Sequence, residues 1–561
     1  MSNKPLVVAI LDGFGISNYE TGNAPLLAKM ENVKIIHQNY PWTLLDTSGP
    51  ACGLVEGAYG ICQNNHMIMG SGKVIDAYCK QIADSVKDNS FFQNEILLDA
   101  INEAKKRGKN CIHIIGLVSH SPITGYDDDI FALIKLISQN GLTPIVHAIT
   151  DGKDVNKKSA ISYLSDLYNA LKPCNGKLAD ISGRHYALDD SEHWLRTIKT
   201  WNLMTRHDGD NFSDFEAYVN KEYELNCPDE FFIPQYNIAY EDSKIDDNDV
   251  VILTVYRYAE QLLSLMLNQN QEQYDTYVHR NNLAIYSLAE FGGFNLKSVF
   301  KEKTVDFTLS EVISHHDLKQ LKVSDKLRIN DITYYLNGRH DKPFKDETWY
   351  SFPIDKKVIY DLHPQLQAVE ITNYVLDHLH DYDVIFVNYS NSDILGHTGN
   401  LDAAIKGLKV IDLCLGSLYD KLINHGEGKL IITADHGNCE KMLDENGNIK
   451  TYHTTCKVPF ILCERKIHLA DENVSIANIA PTILQYLGLQ IPKTMEGKSL
   501  IKPNTFMNKV MDYIKRPTMI LEVNTLNEKA VNDIISINAK QTENSDNKPN
   551  YVDENDFSLL E

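Results

Sequence analysis

Short apolar runs recur along the chain, and three of them end directly in strings of polar residues that can carry chemistry. These runs are Leu6–Leu11, Val384–Tyr389 and residues 430–433. Near-continuous apolar strands of this kind are typical of a parallel sheet that is covered on both faces. In such sheets, ligands collect at the carboxyl ends of the strands. The pattern predicts an α/β sheet with a functional site where these runs end.

The middle of the chain repeats this pattern independently. Apolar runs at 111–117, 143–149 and 250–255 predict strands, and residues 102–107 and 129–138 predict helices between them. We therefore expect a second α/β domain, residues 78–310, inserted into a first domain formed by residues 1–77 and 311–503. Residues 504–561 form a C-terminal extension, whose last part is polar and poor in apolar residues, and this composition predicts partial disorder.

Composition narrows the class of protein. A chain of 561 residues with 43% hydrophobic and 23% charged residues is expected to be soluble and to contain more than one domain. The net charge of −22 disfavours binding to nucleic acid or to an anionic membrane. No run reaches about 18 apolar residues, and the ten cysteines show no framework spacing. These features predict a cytoplasmic protein with reduced thiols.

The polar strings contain side chains that bind divalent cations. Each one alone has an ordinary explanation, since an aspartate after a strand is often a helix cap and a single histidine is usually structural. Together they supply the oxygen and nitrogen ligands that a pair of divalent ions requires. The candidate metal ligands are Asp12, Asp393, His397, Asp435, His436 and His453.

The same strings, with others in the same order, resemble the cofactor-independent (2,3-bisphosphoglycerate-independent) phosphoglycerate mutases of the alkaline phosphatase superfamily. The resemblance covers residues 1 to about 500. Its motifs are Ile10-Leu11-Asp12-Gly13-Phe14-Gly15, Asp151-Gly152-Lys153-Asp154, Ile181-Ser182-Gly183-Arg184-His185, Gly396-His397-Thr398-Gly399-Asn400, Ala434-Asp435-His436-Gly437-Asn438 and His453-Thr454-Thr455.

The resemblance implies an alkaline-phosphatase-like metal-binding domain, an inserted transferase domain and two divalent ions between them, usually manganese. One ion would be held by Asp393, His397 and His453. The other would be held by Asp12, Asp435, His436 and the nucleophile. In this family the nucleophile takes a phosphoryl group from one position of phosphoglycerate and returns it to another.

Cys62 stands where the family has a serine nucleophile. A metal-bound thiol is deprotonated, so Cys62 could be a ligand and a phosphoryl acceptor. A thiolate would also favour zinc over manganese. The alternative is that Cys62 marks an inactive site.

The positions that would bind the substrate also depart from the family pattern. Arg184 and Arg257 match family arginines, while Lys153, beside Asp154, replaces a third. Asp190 and Glu260 stand where two further arginines are expected, and Thr124 stands where a catalytic histidine is expected. Near residue 330, a segment with an active-site lysine is expected to be missing.

We therefore predict a dinuclear metalloenzyme that transfers a phosphoryl group on a small anionic metabolite less charged than phosphoglycerate. Lys153, Asp154, Arg184 and Arg257 would bind that substrate. The alternatives are a working mutase that interconverts 3- and 2-phosphoglycerate and a silent paralogue that keeps its metals. The resemblance favours a monomer, and no nucleic-acid or membrane partner is expected.

Overall fold

The computed structural model describes residues 4–269, 277–354 and 358–503. The predicted C-terminal extension lies outside the described residues. The strands are β1 Leu6–Leu11, β2 Trp42–Leu45, β3 Cys111–Val118, β4 Thr143–Thr150, β5 Lys177–Gly183, β6 Asp210–Phe212, β7 Gln235–Asn237, β8 Val250–Leu253, β9 Ala284–Ser287, β10 Lys297–Ser298, β11 Gln320–Asp325, β12 Glu347–Phe352, β13 Val384–Tyr389, β14 Lys429–Thr433, β15 Val458–Leu462, β16 His468–Leu469 and β17 Ile501–Lys502.

The α-helices are α1 Ala24–Ala28, α2 Glu31–Asn39, α3 Cys62–Ser71, α4 Tyr78–Lys87, α5 Glu95–Lys106, α6 Asp127–Gln139, α7 Ala160–Leu171, α8 Arg184–Ala187, α9 Trp194–Arg206, α10 Phe215–Glu224, α11 Glu260–Met266, α12 Leu309–His315, α13 Ala368–Asp377, α14 Asn391–Thr398, α15 Leu401–Tyr419 and α16 Ile479–Leu487. A π-helical turn spans Asp331–Tyr335. Within the described ranges, no helix is both long enough and apolar enough to cross a bilayer.

The first sheet brings the N-terminal strand between two strands from the C-terminal half of the chain. In the described part of the chain its order is β12-β11-β13-β1-β14-β15-β2. Strand β1 pairs in parallel with β13 on one side and β14 on the other, and all six of its residues are buried. The carboxyl ends of these three strands therefore lie side by side, as the apolar runs predict.

The second sheet is built from strands between Cys111 and Ser298, and this span falls within the predicted insertion. Its order among the described residues is β10-β9-β8-β3-β4-β5-β7-β6. The central strands β8, β3, β4 and β5 are parallel. The prediction of an α/β fold with parallel sheets is confirmed.

Some element bounds differ from those predicted. The strand expected at 250–255 ends at Leu253, because the chain turns away into the segment that carries Arg257. The helices expected at 102–107 and 129–138 are longer, and span Glu95–Lys106 and Asp127–Gln139. In the first of these, the Asn94 side chain accepts hydrogen bonds from the backbone of Ile96 and Leu97 and sets the helix start.

Candidate metal centre and substrate cleft

The ends of β1, β13 and β14 bring the candidate metal ligands into one buried cluster. Asp12 follows β1 directly, Asp393 and His397 lie one turn apart on α14 after β13, and Asp435 and His436 follow β14. A glycine permits the close approach of the first two loops. Gly13 has φ +71°, and a Cβ there would lie 2.7 Å from Asp393 Cα.

One group of donor atoms is formed by Asp393, His397 and His453. The Nε2 atoms of the two histidines are 3.1 Å apart. The Nε2 atom of His397 lies 3.4 Å from Asp393 Oδ1, and that of His453 lies 3.3 Å from the same oxygen. The structure thus brings together the three residues predicted for one ion.

A second group surrounds His436. Its Nε2 lies 2.8 Å from Cys62 Sγ, 3.2 Å from Asp435 Oδ2 and 3.7 Å from Asp12 Oδ1. Cys62 is the first residue of α3, so its side chain enters the cluster from a different direction than the sheet loops. The four residues predicted for the other ion are therefore also brought together.

The orientation of the histidines fits metal binding. The Nδ1 atoms of His397, His453 and His436 lie 2.6, 2.7 and 3.3 Å from the backbone oxygens of Thr451, Gly60 and Gly437, respectively. A ring whose Nδ1–H donates to a carbonyl presents an unprotonated Nε2, which is the form that binds a metal. The Nε2 atoms of His397 and His453 are 3.1 Å apart, close enough to bind one cation together.

The carboxylates give the same indication. Asp12, Asp393 and Asp435 are fully buried, and Asp435 Oδ2 accepts no hydrogen bond. Burial and the neighbouring Asp435 raise the pKa of Asp12 well above its ordinary value. Burial also opposes ionisation of Asp393, but His397, Arg328 and His453 outweigh it and lower its pKa. This excess of buried negative charge and free lone pairs suits divalent cations.

Neighbouring amides hold these carboxylates in place. Asn388 Nδ2 donates to Asp12 Oδ2 over 3.1 Å, and Asn438 Nδ2 donates to Asp393 Oδ1 over 2.8 Å. A Cβ at Gly396 would lie 2.6 Å from Asn438 Oδ1, so this glycine makes room for the amide that orients Asp393.

Arg328 is a residue of the cluster that the sequence analysis missed. Its Nη2 contacts Asp393 Oδ2, its Nε lies 3.3 Å from Asp12 Oδ2, and its Nη1 lies 3.8 Å from Asp331 Oδ2. The loss of a lysine-containing segment near residue 330 stays a prediction, and Arg328 supplies a cation to the cluster from this part of the chain. Arg328 follows β11, which pairs with β13, so the segment still reaches the cluster.

Cys62 lies between opposing electrostatic influences. Burial and the carboxylates of Asp12, Asp435 and Asp393 raise the pKa of its thiol, and Arg328 acts against them. Without further positive charge, the side chain is therefore a thiol rather than a thiolate. The divalent ions for which the donor set is suited would reverse this balance, since metal coordination deprotonates a thiol.

A cleft of about 690 Å³ is lined by Ile61 and Gln63, the two sequence neighbours of Cys62. Arg257, Tyr258 and Glu260 also line it. Arg257 Nη1 donates to Gln63 Oε1 over 3.0 Å, and Nη2 donates to Ile123 O over 2.9 Å. Arg257, in the predicted insertion, is thus hydrogen-bonded to the residue that follows Cys62.

The other predicted substrate residues lie in the predicted insertion, and several of them bind one another. Arg184 Nη1 donates to Asp151 Oδ1 over 2.6 Å and to Asp154 Oδ2 over 2.8 Å. Thr124 donates to Asp154 over 2.8 Å and accepts from Arg184 Nη2 over 3.2 Å. Lys153 lines a neighbouring pocket of about 130 Å³ together with Arg184 and Asp190.

Comparison with known proteins places this chain in a family. Residues 4–491 match the model of the Metalloenzyme superfamily. The chain is 35% identical over 517 residues to a 2,3-bisphosphoglycerate-independent phosphoglycerate mutase of Clostridium novyi, covering 90% of this chain and all of that protein. It belongs to this family of mutases. The predicted membership is confirmed, and the chain is an enzyme.

Further relatives agree with this membership. A 2,3-bisphosphoglycerate-independent phosphoglycerate mutase of Mycoplasmoides gallisepticum is 33% identical, covering 89% of this chain and all of that protein. A solved structure of Leishmania mexicana phosphoglycerate mutase, at low cobalt concentration, matches with a TM-score of 0.78 at 23% identity. That match covers 89% of this chain and 98% of the other, and it shows that the mutase fold is shared.

Proposed function

We propose that this member of the mutase family is a two-metal phosphotransferase that moves a phosphoryl group through Cys62. The observation that carries the proposal is the arrangement of the histidines, whose Nε2 atoms converge with Cys62 Sγ and the carboxylates of Asp12, Asp393 and Asp435. Asp393, His397 and His453 would hold one divalent ion, and Asp12, Cys62, Asp435 and His436 would hold the other. Bound divalent ions stabilise the charge of a transferring phosphoryl group and lower the pKa of the nucleophile.

In the first step, the Cys62 thiolate attacks the phosphorus of a phosphate ester. The S–P bond forms, the ester P–O bond breaks, and the leaving oxygen becomes a hydroxyl group by taking up a proton. In the second step, a hydroxyl group of the bound molecule loses its proton and attacks the phosphorus, and the S–P bond breaks. Arg328, which acts electrostatically on the Cys62 thiol, and Arg257, which binds the neighbouring Gln63, would attract the phosphoryl oxygens.

The inserted domain favours a substrate less charged than phosphoglycerate. Arg184 is already balanced by Asp151 and Asp154, so its attraction for a further carboxylate is weakened. Asp190 and Glu260 are exposed at the two cavities that adjoin each other at Tyr258. Carboxylates at these places repel an anionic substrate.

Interconversion of 3- and 2-phosphoglycerate is the second candidate function. It is supported by the relatives above, which are named for that activity and which the chain matches along their whole length. The same two-step transfer through Cys62 would produce it. The candidates therefore differ in substrate, and both require metals and Cys62.

The identity of the metal follows from the same residues. Carboxylates and imidazoles suit manganese, whereas a thiolate ligand favours zinc. We propose that Cys62 shifts the preference of its site towards zinc relative to a serine-containing mutase. Cytoplasmic location and a monomeric state remain predictions.

The test is to purify the protein, measure its metal content, and assay phosphoglycerate interconversion together with transfer from other small phosphate esters. The proposal expects about two divalent ions per chain and transfer that is lost on chelation and in Cys62→Ala. A protein that binds no divalent metal, or whose transfer is unaffected by Cys62→Ala, would overturn it. Robust phosphoglycerate interconversion would select the second candidate.

A further inference from the structure

The pocket beside Arg184 contains more acidic than basic side chains. Its lining includes Lys153, Arg184 and Arg196 as cations, and Asp189, Asp190 and Glu230 as acids. The carboxylates of Asp151 and Asp154 contact Arg184 in addition, so three cations face five acids. A pocket with this balance repels anions and attracts cations.

Two of the three cations are already engaged by carboxylates. Arg184 is held by Asp151 and Asp154, and Arg196 Nη1 donates to Asp189 Oδ1 over 3.0 Å. The Asp189 carboxylate also accepts a hydrogen bond of 2.7 Å from Gln261 Nε2. These ion pairs leave Lys153 as the cation of the lining that has no carboxylate within ion-pair distance among the described residues.

The remaining acids have no cation of their own. Asp190 Oδ1 accepts a hydrogen bond from Ser191 Oγ over 2.9 Å, and the described residues offer it no ion pair. In the same part of the chain, the half-buried Glu230 carboxylate has neither a hydrogen bond nor an ion pair. Burial raises the pKa of Glu230, and Lys153 and Arg184 act against this from a distance. A carboxylate desolvated in this way gains most from a cation that enters the pocket.

The pocket and the larger cleft share one lining residue, Tyr258. The cleft is also lined by Ile61 and Gln63, the two sequence neighbours of Cys62, and Arg257 donates a hydrogen bond to Gln63. Glu260 adds an exposed carboxylate to the lining of the cleft. A small molecule with its phosphate at Cys62 and its other end towards Tyr258 would therefore face acidic side chains.

We propose that the substrate is a phosphate ester whose non-phosphate end carries an ammonium group, which Asp190 and Glu230 recognise. The inference rests on the proposed function, because it places the phosphate at the metal centre and Cys62. It adds the chemical class of the remainder of the substrate. An amino group would be neutralised by the acids that a carboxylate of phosphoglycerate would meet as like charges.

The test uses three probes with the same two-carbon backbone: 2-aminoethyl phosphate, ethyl phosphate and phosphoglycolate, whose ends are cationic, neutral and anionic. Their dissociation constants are measured by calorimetry on the manganese-loaded full-length protein. We expect 2-aminoethyl phosphate to bind about fivefold to tenfold more tightly than ethyl phosphate, and phosphoglycolate to bind most weakly.

Variants assign the preference to the pocket. In the double variant Asp190→Asn/Glu230→Gln, we expect the three affinities to converge within about twofold. Glu224→Gln, an exposed acid on α10 outside the pocket, is the control and should keep the wild-type order.

The outcomes separate this inference from the function on which it rests. If none of the three phosphate esters binds, the proposed function is overturned and the inference with it. If all bind but phosphoglycolate equals or exceeds 2-aminoethyl phosphate, only the ammonium inference is overturned. The same holds if the preference survives unchanged in the double variant.

Discussion

Beside the first sheet three buried carboxylates contact one guanidinium, whereas beside the second sheet one buried guanidinium is shared by two carboxylates. Asp12, Asp393 and Asp331 contact Arg328, and Asp435 lies close to Asp12, so that cluster still lacks positive charge. Arg184 is enclosed by Asp151 and Asp154, so its positive charge is already compensated. The first cluster therefore favours the binding of cations, whereas the second does not favour the binding of further anions.

The largest expected effect comes from removing a carboxylate of the metal cluster. Asp435→Asn keeps the shape of the side chain but removes the charge and one strong ligand. We expect loss of one metal ion per chain and a decrease in phosphoryl transfer on the order of a thousandfold. Metal analysis and steady-state rates check both.

Asp402→Asn is the matched control, because Asp402 is an exposed aspartate in the first turn of α15. It should keep its metals and its activity. Full metal content in Asp435→Asn would show that the cluster does not need this carboxylate.

Substitution of Cys62 separates its two proposed roles. Cys62→Ala should lower transfer about a hundredfold or more, because Cys62 carries the only thiol among the donor atoms of the clusters that the structure describes. Cys62→Ser should keep both metals and shift the preference from zinc towards manganese. Rates and metal competition measure these effects, and an unchanged metal preference in Cys62→Ser would exclude the thiolate as a ligand.

Replacing Arg328 tests whether its guanidinium neutralises part of the negative charge that bound metal ions would otherwise neutralise. Arg328→Met leaves the buried Asp12 and Asp393 without their cation, and should lower the free energy of unfolding of the metal-free protein by about 3 kcal/mol. Added manganese should recover most of this loss, since the ions neutralise the same carboxylates. Denaturant unfolding with and without metal measures it. Arg328→Lys should be milder, and equal losses in both metal states would contradict the idea.

The smallest effect on stability is expected when Asp154, one of the two carboxylates that bind Arg184, is replaced. Burial opposes ionisation of Asp154, but Arg184 and Arg257 outweigh it and lower its pKa below the ordinary 3.8. A carboxyl whose pKa is lower in the folded state stabilises the fold above the unfolded pKa and loses this contribution as the pH falls. Asp154→Asn should therefore cost about 2 kcal/mol at pH 7, less than full loss of a buried pair because Asp151 still holds Arg184.

Unfolding experiments from pH 7 downwards check the sign of this effect. The difference between wild type and Asp154→Asn should shrink below about pH 4, where the wild-type carboxyl begins to lose its contribution. A difference that is constant across that range would show that the hydrogen bonds of Asp154, rather than its charge, stabilise the fold.

The sequence predicted which side chains meet at the edge of the first sheet, because the strands before them are continuous apolar runs. Strand β1, for example, is buried at all six positions, and the residue after it is Asp12. The hydrophobic pattern of the strand, its length and the polar residue that follows it can all be recognised in a short stretch of sequence. The rule that parallel strands present their carboxyl ends at one edge then brings the three loops together.

Arg328 was not predicted as a site residue, because the sequence of the preceding strand, β11, does not show the pattern of a buried strand. Strand β11 has the sequence Gln-Leu-Lys-Val-Ser-Asp, and its Lys322 is fully buried. Lys322 is accommodated by an ion pair of 2.8 Å with Glu347 on the neighbouring strand β12. That pairing depends on tertiary contacts between distant segments, so hydrophobic pattern alone does not reveal it. Recognising β11 would have placed Arg328 at the same sheet edge as Asp393.

The ion pairs of the predicted insertion were likewise not predicted from the sequence. Lys153, Asp154 and Arg184 were expected to bind substrate, but their residue types do not reveal that Asp154 and Arg184 bind each other. Only the geometry shows which charges are compensated and which, like Asp190 and Glu230, are left for a ligand.

Phosphorylation of Cys62 is the most direct test of phosphoryl transfer through this residue. The metal-loaded protein is incubated with a small phosphate ester and its Cys62 peptide is examined by mass spectrometry, with Cys62→Ala and the chelated protein alongside. We predict one added phosphoryl group on Cys62 in the metal-loaded wild type and none in either control. Sustained transfer by Cys62→Ala with no phosphorylated cysteine in the wild type would contradict it.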